Sequence, residues 1–233
     1  MSGMDAVRYY RDIEGLDHLG LPDTQKIIKT SEGVSLKRCV DIVGAILALI
    51  FFAPTMVIIY ALLMLTGGSP IFAHPRVGKN GELFLCYKFR SMVNDANKVL
   101  AEYLESNAAA REEWDRTFKL TRDPRISWFG DFLRRASLDE LPQLFNVLRG
   151  EMSLVGPRPI VPSEIVRYSN KIKAYYRCRP GITGLWQVSG RNDVAYDRRV
   201  LLDALYARKQ SIWFDIVILF RTVRVVISRR GAY

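Results

Sequence analysis

SLDELPQLFNVLRGEMSLVGPRP, residues 137–159, is the stretch from which the rest of this chain is read. Two adjacent carboxylates, Asp139 and Glu140, stand at its start, and a Gly-Pro-Arg-Pro turn closes it. Ser137 followed three residues later by Glu140 matches the capping-box pattern, which predicts a helix with Ser137 as its N-cap. Pro142 removes an early helical hydrogen bond, so the first turn of that helix is expected to be loosened or kinked.

The charged residues around Asp139 and Glu140 help to distinguish a structural role of this pair from a chemical role. Alone, a Ser-x-x-Glu pattern indicates a capped amphipathic helix whose acids serve only the cap and the helix dipole. Here Arg134 and Arg135 precede the pair, and Arg158 follows in a turn whose prolines fix the backbone. Carboxylates at a helix N-terminus among arginines are expected to stay ionised. An ionised Asp139 can act as a nucleophile, and Glu140 can bind a divalent cation. The same helix end and arginines would favour a phosphate.

The composition restricts the class of protein. The 233 residues carry a formal charge of +10, and 49% of them are hydrophobic, which suits one domain or one domain with appendages. The basic balance indicates anionic partners, which are nucleic acid, a membrane surface or phosphorylated substrates. Cys39, Cys86 and Cys178 show neither metal-ligand spacing nor an even disulfide set, which fits a reducing, cytoplasm-facing location.

The chain divides into three parts by composition. Residues 1–35 are a polar N-terminal extension without the pattern of a secretory signal. Residues 36–72 are an apolar membrane segment, and residues 73–233 form the rest of the protein. The last segment, 212–233, joins an apolar run to a basic one, which is typical of a helix in the membrane interface, although such a helix can also bind a partner helix.

The sequence allows two interpretations of the membrane segment. From residue 40 to residue 72 Asp41 is the only charge, and the run exceeds the roughly 20 residues that a membrane span needs. Pro54 lies near its middle, and basic residues flank both ends, namely Lys37 and Arg38 before it and Arg76 and Lys79 after it. A proline breaks or kinks a helix, and positive flanks prefer the cytoplasm. A helix-break-helix hairpin that returns through one leaflet satisfies both features, whereas a kinked single span satisfies the first.

The remaining elements follow from periodicity and turn residues. Asn80-Gly81 predicts a hairpin turn before a short strand, and Lys88 and Arg90 would share one face of that strand if it continues. Such basic residues are usually solvated, and phosphate binding is the alternative. The loop 179–193, with three glycines, carries Arg179 and Trp186 and could hold a nucleotide base or a phosphate, or could simply place Trp186 in the core. Helices are predicted over residues 95–120, 126–135, 163–177 and 200–211.

Four segments together carry a specific resemblance. They are KRCVDIVGAILALIFFAPTMVI, GSPIFAHPRVGKNGELFLCYKFRSM, DPRISWFGDFLRRASLDELPQLFNVLRGEMSLVGPRP and RPGITGLWQVSGRN. In this order, from Lys37 to the C-terminus, the chain resembles the bacterial sugar transferases. These are monotopic polyprenyl-phosphate hexose-1-phosphate transferases that prime exopolysaccharide and related glycan synthesis. Within the family it looks most similar to the undecaprenyl-phosphate galactose phosphotransferases.

The resemblance implies a two-step reaction. Asp139 would attack the β-phosphate of a UDP-sugar, release UMP and become a phospho-aspartate, which undecaprenyl phosphate would then attack. Glu140 would bind Mg²⁺ against the diphosphate. Basic family positions that neutralise phosphate charge are matched by Arg134, Arg158, Lys88 and Arg90, and Arg179 is a further candidate. Nucleic acid has no part in this reaction.

The resemblance also implies the architecture. We expect a mostly helical α+β protein, in which a re-entrant membrane hairpin broken at Pro54 carries a small cytoplasmic catalytic domain with short strands and interfacial helices. Ala53 replaces the serine that many relatives have before this proline, so a hydroxyl that could satisfy a freed carbonyl is missing. The protein would lie in the bacterial inner membrane with its catalytic domain on the cytoplasmic face. The sequence leaves the oligomeric state open, a homo-oligomer included.

Two other functions compete with this one. A membrane-anchored protein whose basic face holds anionic lipid or nucleic acid, without chemistry, would explain the charge and the apolar segment. It would not explain two carboxylates between Arg134 and Arg158, because such a face should exclude acids. An enzyme of the same membrane geometry could instead use a carboxylate as a general base and transfer the sugar phosphate directly to the lipid.

Overall fold

The computed structural model describes residues 35–117, 120–190 and 194–228, which form mostly helices with four short strands. The helices are α1 (Leu36–Leu65), α2 (Ala96–Ser106), α3 (Ala108–Thr117), α4 (Trp128–Arg135), α5 (Gln143–Arg149), α6 (Ile165–Tyr168), α7 (Ile172–Tyr175), α8 (Tyr196–Lys209) and α9 (Ile212–Ser228). The strands are β1 (Ile71–Val77), β2 (Leu83–Phe89), β3 (Ser153–Val155) and β4 (Gly181–Thr183). The predicted N-terminal extension, except for Ser35, lies outside the described residues.

The apolar segment is a single helix. α1 runs from Leu36 to Leu65 and continues through Pro54. The Ser35 hydroxyl caps its first turn by accepting a hydrogen bond from the backbone N–H of Arg38. The predicted break of the helix at Pro54 is therefore wrong, whereas a kink at Pro54 and a re-entrant path stay predictions. A proline removes one N–H from the helix and can be accommodated where the neighbouring turns keep their own hydrogen bonds.

α1 presents most of its apolar surface outward. Within the described part of the chain it is the one helix that is long and apolar enough to cross a membrane. Only 17% of an 18-residue apolar stretch of this helix is buried against the rest of the protein. Its buried residues form two groups, Asp41 with Ala45 and Ile59 with Leu63, and none lies between residues 50 and 58. Phe51 in that middle stretch is 75% exposed. An exposed apolar surface of this kind marks a site of interaction with a membrane or with another protein.

The predicted hairpin is confirmed. β1 and β2 pair antiparallel from Ile71 opposite Phe89 to Val77 opposite Leu83. Asn80 and Gly81 both have positive φ angles in the connecting turn, 59° and 83°, which is the conformation that the Asn-Gly pair favours. β1 begins at Ile71, so the sheet starts just before the predicted end of the membrane segment.

A second, parallel sheet, which was not predicted, joins the two glycine- and proline-rich loops. β3 pairs with β4 through Ser153 opposite Gly181 and Val155 opposite Thr183. A Cβ atom at Gly181 would collide with the backbone of Gly156, so the two loops can approach this closely only with glycine at that position. The Gly-Pro-Arg-Pro turn is thereby held against the loop that begins at residue 179.

Two predicted helices are interrupted. The helix predicted over 95–120 splits at Asn107, whose side-chain oxygen accepts a hydrogen bond from the backbone N–H of Ala110 and so starts α3. The helix predicted over 163–177 is a chain of short α and 3₁₀ turns that breaks at Ser169, where φ is +46°. The predicted helix 126–135 is present as α4, and the one predicted over 200–211 begins four residues earlier as α8.

Candidate active site

The acidic pair lies on a single 3₁₀ turn between α4 and α5. Asp139 is 7% exposed, and Glu140 follows it on the turn Leu138–Glu140. Ser137 has a left-handed backbone, φ 57°, and its side chain makes no capping hydrogen bond, so the predicted capping box is wrong. The α-helix begins only after Pro142, because Pro142 has no N–H to donate to the preceding turn. A non-glycine residue with positive φ beside a buried carboxylate is typical of a functional turn.

Lys88 is the cation that contacts the pair. Its Nζ lies 2.6 Å from Oε1 of Glu140 and 3.9 Å from Oδ2 of Asp139. Burial alone would lower the pKa of Lys88, but the two carboxylates raise that pKa above its ordinary value, so the ammonium group stays charged. The position of Lys88 on β2, predicted from strand alternation, therefore brings it to the acidic pair.

Burial sets the protonation of Asp139. It raises the pKa of the Asp139 carboxyl to about 6, the charge of Glu140 raises it further, and Lys88 and Arg134 oppose the rise. The sequence predicted that the neighbouring arginines would keep this carboxyl ionised, and in the structure desolvation acts against the neighbouring cations and is the larger effect. At pH 7 a carboxyl with this pKa is still about nine-tenths ionised. Asp139 is thus a desolvated carboxylate, which suits a nucleophile.

Arg134 is positioned by a hydrogen bond to Ser91 and by the close packing of α4 on the end of β2. Its Nε donates a hydrogen bond of 2.8 Å to the hydroxyl of Ser91, just after β2. A Cβ atom at Gly130 would collide with the backbone of Ser91, so glycine lets α4 pack directly on the end of this strand. The Ser127 hydroxyl caps α4 by accepting a hydrogen bond from the backbone N–H of Gly130. Ser91 was not predicted, because an isolated serine after a strand carries no pattern.

Asn146 holds α5 against the strand that carries Lys88. Its side-chain N–H group donates to the Leu85 carbonyl at 2.7 Å, and its side-chain oxygen accepts from the Tyr87 backbone N–H at 3.1 Å. The same N–H group also donates to Glu151. Asn146 is fully buried, so these hydrogen bonds fix the register between α5 and β2. The acidic turn and Lys88 are therefore held together from both sides.

Arg90, Arg158 and Arg179 contact other groups. Arg90 donates to the hydroxyl of Thr66 at 2.6 Å, at the end of α1. Arg158 lies 3.9 Å from Glu164, and Arg179 donates to the Gly150 carbonyl at 2.8 Å. Of the five predicted phosphate-binding residues, Lys88 thus contacts the acidic pair, and Arg134 lies near enough for its charge to lower the pKa of Asp139. A phosphate role for the other three stays a prediction.

A second polar cluster surrounds Arg158. The guanidinium groups of Arg158 and Arg199 lie over the ring of Trp186, at 5.8 and 4.2 Å from its centre. Trp186 is 6% exposed, so its structural alternative, a core position, is confirmed. Asp203 is fully buried, accepts a hydrogen bond from the Tyr168 hydroxyl, and has a pKa raised to about 7 by burial. The spacing of Arg199 and Asp203, which places both on one face of α8, is the sequence feature that could have predicted this cluster.

The acidic turn also fits the predicted metal. Among the described residues no group of three or more His, Cys, Asp or Glu side chains could hold a metal ion. Mg²⁺ in phosphoryl-transfer sites is commonly bound by one or two carboxylates together with substrate phosphates and water. The donor set of Asp139 and Glu140 is compatible with that mode and would need a phosphorylated substrate to complete it.

Comparison with known proteins places this site in a family. The family model described as bacterial sugar transferase matches residues 32–229. A UDP-galactose-lipid carrier transferase of Erwinia amylovora is 52% identical over 198 residues, which are 85% of this chain and 42% of that protein. An undecaprenyl-phosphate galactose phosphotransferase of Salmonella typhimurium is 54% identical with the same coverage. The exopolysaccharide production protein ExoY of Sinorhizobium fredii is 47% identical over 214 residues, 91% of this chain and 94% of that protein.

The coverage differs between these relatives. The chain spans about two fifths of the length of the first two, but nearly the whole of ExoY. The family match includes α1, the hairpin, the acidic turn and both loops of the parallel sheet. On this match the chain belongs to the bacterial sugar transferase family.

Proposed function

We propose that the protein transfers hexose-1-phosphate from a UDP-sugar to undecaprenyl phosphate, with release of UMP. The observation that carries this proposal is the buried Asp139 next to Glu140, with Lys88 at 2.6 Å from Glu140 and Arg134 close by. An anionic nucleophile beside fixed cations is what phosphoryl transfer requires. Galactose is the proposed sugar, since two of the compared relatives are named for galactose. We place the reaction at the first membrane step of exopolysaccharide or related glycan synthesis.

The proposed chemistry has two balanced steps. The Asp139 carboxylate attacks the β-phosphorus of the donor, the bond from this phosphorus to the bridging oxygen breaks, and UMP leaves with the electron pair. An oxygen of the lipid phosphate then attacks the same phosphorus, and the Asp139 carboxylate is released unchanged. Lys88 and Arg134 stabilise the negative charge that builds up on the phosphoryl oxygens. Mg²⁺, when bound by Glu140 and the diphosphate, supplies additional neutralisation of that charge.

The proposed membrane arrangement is monotopic, with the folded domain on the cytoplasmic face of the inner membrane. Lys37, in the first turn of α1, donates to Asp215 at 2.6 Å and to the Val155 carbonyl. At the other end, Arg90 donates to Thr66 and to the Leu63 carbonyl. Both ends of α1 are thus bound to the same polar domain, and a water-exposed domain lies on one side of a bilayer. This supports a re-entrant path.

UMP release tests the proposal. The protein, purified in nanodiscs, is incubated with Mg²⁺, undecaprenyl phosphate and each of a panel of UDP-sugars. We expect UMP only when the lipid acceptor is present, with UDP-galactose as the best donor. Asp139→Asn should abolish the release. A folded protein that releases no UMP from any donor would instead support the membrane-anchored binding protein.

The covalent intermediate needs a separate test, because a general base would also fail on Asp139→Asn. The donor is labelled in its β-phosphate and added without the lipid acceptor. We expect label on the protein that hydroxylamine removes, as it does from an acyl phosphate, and that the Asp139→Asn variant lacks. Lipid-dependent UMP release with no labelled protein would favour direct transfer with a carboxylate base.

A further inference from the structure

One side of α4 exposes aromatic side chains. Trp128 is 86% exposed and Phe132 is 49% exposed. The two residues are four positions apart on the helix, so they lie on the same side of it. Neighbouring apolar side chains at the surface mark a site of interaction. None of the contacts described above for the acidic turn involves either ring, so this side of α4 is available for another contact.

The opposite side of α4 packs against α1. Leu133 is fully buried and forms one apolar cluster with Ile59 and Leu63, which belong to the second half of α1. Phe129 packs against the same cluster, and its ring stacks on the ring of Phe132 with 6.2 Å between their centres. α4 is therefore fixed beside the exposed apolar surface of α1, and its aromatic rings continue outward from that contact.

A hollow along the exposed side of α4 reaches the segment that carries the nucleophile. Its volume is about 220 Å³. The residues that line it are Trp128, Asp131, Phe132, Arg135 and Ala136. Ala136 precedes Asp139 by three residues, and three residues of chain span at most about 11 Å. The hollow therefore ends close to the acidic turn.

The charges at this hollow cancel. Asp131 and Arg135 are the two charged residues of its described lining, and they form an ion pair of 2.8 Å across one turn of α4. The cations near the acidic pair, Lys88 and Arg134, lie outside the lining. The hollow thus offers aromatic rings and no net charge, which suits a hydrocarbon chain better than an anionic group.

We infer that this side of α4 binds the hydrocarbon chain of the lipid acceptor, at the isoprene units next to its phosphate. The inference rests on the proposed function, because it concerns the acceptor of that reaction. The acceptor phosphate must reach Asp139, whereas its hydrocarbon chain avoids water. An uncharged aromatic surface between α1 and the acidic turn shields the first isoprene units where they leave the bilayer. Binding of the chain along α4 would thereby position the attacking phosphate oxygen.

The first test measures how the rate of UMP release in detergent micelles depends on the acceptor concentration. The test variant is Trp128→Ala with Phe132→Ala. The control is Trp213→Ala with Phe220→Ala on α9, which removes the same two residue types from side chains that are 74% and 75% exposed. We expect kcat/KM for undecaprenyl phosphate to fall about tenfold in the test variant alone, with kcat/KM for the UDP-sugar unchanged.

The outcomes of this test separate the acceptor from other occupants. An equal fall in the test variant and the control would assign the aromatic rings to general contact with the membrane and overturn the inference. An unchanged kcat/KM for the acceptor in the test variant would also overturn it. If that variant in addition loses dimers in light scattering, the surface binds a second copy of the chain instead.

A second measurement does not require turnover, so it separates failure of this inference from failure of the proposed function. Unaltered protein is irradiated with an undecaprenyl phosphate analogue that carries a photoreactive group in the isoprene unit next to the phosphate. We expect label in the tryptic peptide 126–134, which contains most of α4. Unlabelled undecaprenyl phosphate should displace this label, and phosphatidylglycerol should not. No label in this peptide, or equal displacement by both lipids, would overturn the inference even if the variants fold poorly.

Discussion

At the scale of single residues, the proposed nucleophile should cost the protein stability. Burial raises the pKa of the Asp139 carboxyl from 3.8 to about 6, so folded protein binds a proton here more readily than unfolded protein does. The folded state therefore loses stability as the pH rises from about 4 through 6. We predict that Asp139→Asn, though inactive, is more stable at pH 7.5 by about 2 kcal/mol, and that the gain disappears below pH 4. Thermal unfolding at both pH values measures this, and an unchanged or lower unfolding temperature at pH 7.5 would contradict it.

Lys88 should set the acidic limb of the pH profile. Its ammonium group, 3.9 Å from Asp139, holds down the pKa of a carboxyl that burial raises. For Lys88→Gln we therefore predict a lower rate and an acidic limb displaced upward by about one pH unit, measured as UMP release from pH 5 to 8. Arg149→Gln removes an equal charge from a side chain that donates to the Tyr87 hydroxyl. This control should keep the limb in place, and an equal displacement in both variants would indicate a general charge effect.

The residues of the acidic turn could be predicted because each has a local signature. Asp139 and Glu140 stand among arginines, whereas strand alternation predicted only that Lys88 and Arg90 would share a face, and the role of Lys88 came from the resemblance. Ser91 and Arg199 could not be predicted in the same way, since their partners are distant in sequence. Ser91 meets Arg134 across 43 residues, and Arg199 on α8 lies over the ring of Trp186, which precedes that helix. The direction in which the pKa of Asp139 shifts could not be predicted from the sequence either, because burial is a property of the folded chain.

At the scale of elements, the first turns of α1 are fastened through one buried carboxylate. Asp41, 4% exposed, accepts hydrogen bonds from the Ser153 hydroxyl at 2.9 Å and from the Leu154 backbone N–H at 3.0 Å. Asp41→Ala removes this acceptor from the buried Ser153 hydroxyl and from the half-buried Leu154 N–H, and we predict a loss of about 2–4 kcal/mol in stability. Asp131→Ala, which breaks an exposed pair with Arg135, should cost less than about 1 kcal/mol. Chemical unfolding in detergent compares the two, and equal losses would contradict a fastening role for Asp41.

Among the helices and strands, those whose sequence signals are local could be predicted. The Asn-Gly turn and the apolar alternation after it predicted the β1–β2 hairpin, because both signals are contained within some ten residues. The predicted capping box is wrong, since α5 begins only after Pro142 and Ser137 has a left-handed backbone without a capping hydrogen bond. The β3–β4 pair was missed because parallel strands are joined by long connections, and each strand here has only three residues. Pairings between distant segments leave little trace in a short window of sequence.

At the scale of the whole molecule, the domain binds α1 at both ends and leaves its middle outside. Lys37 and Arg90 make the polar contacts at the two ends, while residues 50–58 contain no buried side chain. The continuation of the helix through Pro54 describes only the local backbone. The path of α1 through the bilayer depends on where its two ends are held. Composition alone left a crossing and a hairpin both open, because hydropathy does not record which surfaces the helix ends touch.

Thiol labelling tests this arrangement directly. The chain has three cysteines, of which Cys39, near the start of α1, is exposed and the other two are buried. Ser69→Cys places an exposed thiol after the end of α1, in a Cys39→Ser background. We predict that a membrane-impermeant maleimide labels both thiols in inverted inner-membrane vesicles and neither in spheroplasts, because both ends face the cytoplasm. Ser106→Cys on α2, in the same background, reports the side of the domain. Labelling of the two ends from opposite sides would establish a crossing and would exclude the monotopic arrangement.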